Sequence, residues 1–298
     1  MSTPSGSELC PRFSVVIPAY NESALLPACL RSLADQDFTG TVEVIVVDNG
    51  STDLTAEVAR QHGVRVVVEP VRGVCSARQR GTESASGEII VSTDADTTFS
   101  SGWLRRIDAA FTSDPATVLV AGPVAFVDAP TWARAYPRIL FGINAVVARR
   151  CDRPFYISAC NVAFKKSAWS GYNTGLTQAG DELDLLRRIR PEGRTVFDIT
   201  NPAFTSSRRL QRGLLYSLLV TFFMYYVLDY AISRFTDRSF FGSCPAIRTP
   251  ADIARGRNVR RAFAIALLAT LSPRAFRLVG DASARRGDAC LSRRGRPA

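Results

Sequence analysis

The sequence predicts an α/β fold, a parallel sheet covered by helices on both faces. Three observations carry that prediction. Short apolar runs rich in β-branched residues recur through the first hundred residues, apolar residues at helical spacing fill the intervals, and three of the runs end in polar loops. Sheets of this kind bind ligands beyond the carboxyl ends of their strands, so those loops should converge on one crevice.

Residues 13–17, FSVVI, form a strand that Pro18 should stop, followed by the loop PAYNES. Ala24, Leu25, Leu26, Leu30 and Leu33 recur at helical spacing, which predicts a helix over 24–34 with Ser23 as its cap. VEVIVVD, residues 42–48, is the next strand and ends in the turn NGSTD. A helix over 53–61, capped by Asp53, leads to a strand at 64–69. A helix over 74–85 and the strand EIIVST, residues 88–93, complete the alternation. The polar loops are therefore Pro18 to Glu22, Asp48 to Asp53, and Asp94 to Thr98. Residues 99–203 are more mixed. They offer a helix after Ser100 holding Trp103, Leu104 and Ile107, a strand-like run over 118–127, short strands at 160–164 and 195–199, and a helix over 181–190.

Composition narrows the chemistry. The chain has 298 residues and 32.5 kDa, ample for a sizeable core, and its 46% apolar content is that of a globular protein. His62 is the only histidine, which excludes a multi-histidine zinc site and turns attention to carboxylates and a hard, oxygen-bound metal. His62 itself reads as a residue at a helix C-terminus, favoured there by the dipole. The net charge of +10 is unevenly placed: residues 1–203 carry 20 basic against 22 acidic residues, and residues 204–298 carry 17 against 5. Seven scattered cysteines form no C-x-x-C and no disulfide pattern, and the start, MSTPSGSELCPR, lacks a signal-peptide core. The expected location is cytoplasmic.

Asp94 and Asp96 are the sharpest chemical feature. Two carboxylates one residue apart on an extended chain point to the same side and resist joint ionisation unless a cation neutralises them. On residues alone the pair also reads as a solvated turn. Asp48 faces the same crevice and can accept hydrogen bonds from a base edge or a sugar hydroxyl. Arg78 lies in RGVCSARQRG, either on a solvated basic helix face or near phosphate or a base.

The ordered set VVIPAYNES, VVDNGSTD, RGVCSARQRG, IIVSTDADT, CNVAFKKSAWSGYN and GDELDLLRRI resembles the family 2 glycosyltransferases over about residues 13–190. The resemblance implies the GT-A fold, a Rossmann-like mixed sheet flanked by helices, and use of nucleotide-diphosphate sugars, UDP- or GDP-linked. It implies that Pro18, Ala19, Tyr20, Glu22 and Asp48 hold the nucleotide. Arg78 would reach the base, with Gln79 where the family usually has Asn. Asp94 would contact the nucleotide-sugar, and Asp96, with Asp94, would ligate Mg²⁺ or Mn²⁺. The family's acidic pair before the base helix is inverted here as Asp181-Glu182. By register Glu182 takes the base position, with Asp181 the alternative; a dipole-favoured acidic helix N-terminus explains either residue equally. Asn161 matches a position near the donor sugar or acceptor, or is a strand-edge turn residue. Arg208 and Arg209 either clamp the diphosphate or form a surface basic cluster.

The expected activity is inverting, metal-dependent glycosyl transfer to an unidentified acceptor, lipid-linked or membrane-proximal. A nucleotidyltransferase is the rival enzyme, but its phosphate loop would need Gly and Lys, which PAYNES lacks. A nucleic-acid-binding protein is the rival outside enzymes, and the interleaving of tail arginines with long apolar stretches argues against it. The expected organisation is a catalytic domain over 11–203, a helical appendage over 204–284, and an Arg-rich disordered tail over 285–298. The uncharged run 214–228 and a second apolar run at 262–271 read either as a helix in the membrane interface, giving peripheral contact with the inner face of the cell membrane through 208–279, or as a buried helix packed on the catalytic domain.

Overall fold

The computed structural model describes residues 10–127, 129–176, 181–208 and 210. The appendage and tail expected beyond Leu210, the apolar runs at 214–228 and 262–271, and Arg209 lie outside the described residues.

The first half alternates as the periodicity predicts. Strands β1 (Phe13–Ala19), β2 (Val42–Asp48), β3 (Arg65–Val68) and β4 (Ile89–Ser92) are mutually parallel, with helices α1 (Leu26–Ala34), α2 (Thr55–Gln61) and α3 (Val74–Ser84) between them. Beyond them come a short strand β5 (Thr97–Phe99), helix α4 (Trp103–Ser113), strands β6 (Thr117–Ala121) and β7 (Val124–Val127), helix α5 (Thr131–Cys151), strand β8 (Val162–Lys165), helix α6 (Asp181–Ile189), and strands β9 (Arg194–Phe197) and β10 (Ala203–Ser206). Seven strands make one sheet in the order β3-β2-β1-β4-β8-β6-β9, and β5-β10-β7 make a second, smaller one.

The pleat sorts the core. Phe13, Val15 and Ile17 face one layer with Leu26, Leu30, Ala59, Trp103 and Leu104, which covers that side with α1, α2 and α4. Val16, Ile45, Val47 and Ile90 face the other with Ala77, Leu185, Leu186 and Ile189, under α3 and α6. Helix α3 lies so close to the sheet that a Cβ on Gly81 would come 2.3 Å from the Val16 side chain, so only glycine fits.

The sheet is mixed, as the family resemblance implies and strand–helix alternation alone does not: β8 runs antiparallel to β4 and β6, because the excursion through β7 and α5 returns the chain from the opposite end. Three expectations change. Pro18 does not stop β1, since a strand residue without an N–H still pairs opposite Val47. The run 118–127 is two strands, broken where Gly122 packs against Asn201 and Pro123 withholds a donor. Ser23 does not cap α1; its hydroxyl donates to Asp53, and Pro27 in the first turn starts the helix. Helix α5, 21 residues with Pro137 inside it, and strands β5 and β10 have no counterpart in the sequence expectation. The second sheet carries the folded unit past residue 203, because β10 pairs with both β5 and β7.

Candidate active site

The three strand-end loops meet as the topology requires. After β1, Asn21 takes a left-handed conformation, φ 53°, and its side-chain carbonyl accepts from the Thr52 backbone N–H at 2.8 Å, tying the first loop to the second. The Glu22 N–H donates to the Thr55 hydroxyl at 2.8 Å, and the Glu22 carbonyl accepts from Leu25 and Leu26 as the chain turns into α1. In the second loop, Asp48 accepts the Ser51 N–H at 3.0 Å, which closes an Asx-type turn and leaves the side chain half-buried at the strand end.

Two arginines hold the third loop: Arg208 ties it to the first loop, and Arg78 ties it to α6. Arg78 projects from α3 and is buried. Its Nη2 donates to Asp94 Oδ1 at 2.7 Å, its Nη1 to Asp181 Oδ2 at 2.5 Å, and its Nε to Ser92 Oγ at 3.1 Å. Burial opposes its charge, but Asp181 and Asp94 outweigh burial and hold the guanidinium above its ordinary value. Arg208, just past β10, makes a bidentate pair with Glu22 at 2.8 and 2.6 Å and reaches Asp96 Oδ2 at 2.9 Å. Thr205 on β10 donates to Asp96 Oδ1 at 3.2 Å.

The α6 carboxylates differ from each other. Asp181 is paired with Arg78 through one oxygen, and its Oδ1 has no hydrogen-bond donor among the described residues. Glu182 is buried and is held well above the ordinary glutamate value of 4.5, first by burial and then by the charge of the neighbouring Asp181.

The structure thus brings together Glu22, Arg78, Asp94, Asp96, Asp181 and Arg208 in a connected set, with Glu182 beside Asp181. It does not bring every expected residue to the cleft. Ala19 packs into the core, and Pro18 sits within β1. Asn161 is turned away: its Oδ1 accepts from the Trp103 indole at 2.9 Å, and its Nδ2 donates to the carbonyls of Pro123 and Asn201. With every side-chain donor engaged, it latches β8 to α4 and to the turn before β10. Arg78 reaches two carboxylates and Ser92, which sets it inside the seam between α3 and α6.

Two residues were missed by sequence reading. Ser92 orients Arg78 from the last position of β4; a strand-end serine gives no warning of that. The Arg72 guanidinium stacks 3.2 Å from the centre of the Tyr20 ring and donates to the Asn49 carbonyl. Arg72 stood in the same basic stretch as Arg78, so the signal was present, but only the fold pairs it with the first loop.

The donor set fits a divalent cation in one respect. Asp94 and Asp96, one residue apart in the loop after β4, offer hard carboxylate oxygens of the kind Mg²⁺ or Mn²⁺ takes together with substrate phosphates, though here Asp94 pairs with Arg78 and Asp96 with Arg208. Among the described residues no group of three or more His, Cys, Asp or Glu is arranged to hold a metal. Among the described residues no helix is long and apolar enough to cross a membrane.

A mixed sheet with carboxylates gathered past its strand ends and a basic side chain spanning them is the GT-A architecture. Residues 14–171, just over half of the chain, match the family described as Glycosyl transferase family 2, and the chain belongs to that family. It is 37% identical over 103 residues to Glycosyltransferase AglE of Haloferax volcanii, covering 32% of this chain and 34% of that one. It is 40% identical over 124 residues to an uncharacterized glycosyltransferase of Mycobacterium tuberculosis, covering 41% and 54%. The matches span a third to about half of the length of these curated relatives. Among solved structures, the fold is similar to the mannosyltransferase PcManGT of Pyrobaculum calidifontis in complex with GDP-Man and Mn²⁺, with a TM-score of 0.58 and 20% identity over 92% of this chain and 80% of that one.

Proposed function

We propose that this protein transfers a sugar from a UDP- or GDP-linked donor to a hydroxyl acceptor, with inversion at the anomeric carbon. The observation that carries the reading is Arg78, which joins the strand-end carboxylate Asp94 to the α6 carboxylate Asp181. One buried cation thereby sets the spacing between a donor-side group and a base-side group, which a two-substrate displacement requires.

In this reading, Asp48 and the first loop with Tyr20 and Glu22 receive the nucleoside. Asp96, with Asp94, would hold a Mg²⁺ or Mn²⁺ ion, which when bound neutralises charge on the departing diphosphate. Arg208, and Arg209 beside it in the chain, turn to the diphosphate once Glu22 and Asp96 release Arg208. Glu182 takes the proton of the acceptor hydroxyl. It suits this role better than Asp181 because burial raises its proton affinity, whereas Asp181 shares its charge with Arg78. The acceptor is membrane-proximal or lipid-linked, reached by a chain that contacts the inner face of the membrane through 208–279. Residues 11–203 with β10 form the catalytic domain, followed by the appendage to 284 and the tail.

The test is a panel of nucleotide-sugars screened with Mn²⁺ for thermal stabilisation and then for transfer or hydrolysis. A matching donor raises the melting temperature, and turnover requires the metal. Full activity in Asp96→Ala would remove the metal assignment. Glu182→Gln and Asp181→Asn are compared at saturating donor; loss of turnover only in the second moves the base to Asp181.

A further inference from the structure

Helix α5 carries an apolar stripe on its outer face. Tyr136, Ile139, Ile143 and Val146 follow one another at spacings of three and four residues and are 42%, 62%, 53% and 46% exposed. The exposed apolar residues elsewhere, such as Leu54 and Val71, stand outside helices and form no such row. The opposite face of α5 is fixed. Phe141 and Ala145 are buried, Phe141 stacks on Phe197 of β9, and Asn144 accepts the N–H groups of Phe155 and Tyr156 while donating to the Tyr156 carbonyl. The stripe therefore cannot be turned inward by rolling the helix.

The charge around the stripe has one sign. Residues 131–151 contain no Asp or Glu. By helical position Arg138 and Arg149 border the stripe, and Arg150 closes its C-terminal end. All three are exposed, and none makes an ion pair or hydrogen bond among the described residues. An apolar band edged by exposed guanidinium groups matches a surface with an apolar interior and a phosphate rim. A protein partner would have to supply both an apolar groove and several carboxylates at that spacing; an anionic bilayer supplies both without further design.

We infer that the outer face of α5 docks on an anionic membrane surface, with Ile139, Ile143 and Val146 at the headgroup–acyl boundary and Arg138, Arg149 and Arg150 on lipid phosphates. This site is distinct from the appendage beyond Arg208.

The full chain is tested by co-sedimentation with vesicles of phosphatidylglycerol and phosphatidylcholine, and with phosphatidylcholine alone. The wild type binds the anionic vesicles, and salt weakens the binding. The double variant Ile139→Glu/Ile143→Glu binds about tenfold more weakly or worse. The triple variant Arg138→Glu/Arg149→Glu/Arg150→Glu loses preference for the anionic lipid, and Leu54→Glu changes nothing. Unchanged circular dichroism and an unchanged donor-induced thermal shift show that fold and donor site are intact in each variant, so failure of the docking surface is separable from failure of the catalytic reading. Three results overturn the inference: no vesicle binding by the wild type; equal binding by the wild type and the Ile139/Ile143 variant, which assigns attachment to other residues; or a wild-type dimer that the same variant disperses without vesicle binding, which assigns the stripe to a second copy.

Discussion

The seam between α3 and α6 and the rim at the end of β10 use the same device, an arginine between carboxylates, and differ in what surrounds it. In the seam, Arg78 is 4% exposed and its donors reach Ser92, Asp94 and Asp181 from three separate elements. At the rim, Arg208 is 17% exposed and bridges Glu22 and Asp96 from the end of an edge sheet. A buried cation with fixed partners cannot leave without stranding their charge, so it sets geometry. A cation at the rim is itself more open to solvent, so exchanging partners costs it less than in the seam, although its partner Glu22 is buried. The lesson is that one constellation can be a scaffold in one place and a movable counter-charge a few residues away along the strand end.

The largest effect expected from this contrast is at Arg78. Arg78→Ala leaves Asp181 buried without its counter-charge, and chemical denaturation should show a loss of about 3–5 kcal/mol. Arg78→Lys restores charge but not the fork and should recover only part of the loss. A stability unchanged by Arg78→Ala would erase the distinction between seam and rim.

Glu182→Gln should lower kcat by roughly 10²–10⁴ if Glu182 is the base. Its stability should move the other way with pH. Glu182 binds its proton more tightly in the folded chain, so its contribution to stability is complete below the ordinary value of 4.5 and is lost as pH rises through the raised value. The melting temperature of Glu182→Gln relative to wild type should therefore rise as pH increases above the ordinary glutamate value. In the wild type, transfer should increase with pH above the ordinary glutamate range. A flat difference in melting temperature would show that Glu182 is not desolvated as described.

Asn161 sharpens the boundary of the site. Asn161→Ala removes an acceptor from the Trp103 indole and a donor from two buried carbonyls, which should cost about 1–3 kcal/mol of stability. The KM for donor should stay within about twofold, because the side chain does not face the cleft. A large rise in KM with stability unchanged would place Asn161 at the sugar after all. Arg208→Ala should also cost stability, because the buried Glu22 carboxylate loses its bidentate partner, but less than Arg78→Ala, since Arg208 itself is partly open to solvent. It should tighten Mn²⁺ binding without donor, measured by electron paramagnetic resonance, since Glu22 and Asp96 lose a competing cation. Weaker Mn²⁺ binding would show that Arg208 supports the carboxylates rather than occupying them.

The parts of the molecule legible in advance share a short range. β2 was readable because VEVIVVD is a run rich in β-branched residues, and α6 because Leu185, Leu186 and Ile189 recur at helical spacing. Asp94, Asp96 and the α6 acids were readable because strand ends and motif register are local. α5 was not, since Pro137, several arginines and a half-exposed apolar face blur a single-face pattern. β5 and β10 were not, since three- and four-residue strands acquire meaning only from their partners. Asn161 misled for a related reason: its position in the chain matched a site, and its three hydrogen-bond partners lie 38 to 58 residues away.

The sequence by itself determined the α/β alternation, the three polar strand ends and the carboxylates set upon them, because these follow from side-chain periodicity and from the bonds a strand leaves open at its end. Only the tertiary structure decided that β8 runs against its neighbours, that Arg78 belongs to the interior and Arg208 to the rim, and that Asp181 and Glu182 face unlike surroundings. Those outcomes depend on burial and on partners as far as 186 residues apart, as Arg208 and Glu22 are. Desolvation and counter-charge act through space, and only the folded chain sets the distances over which they act.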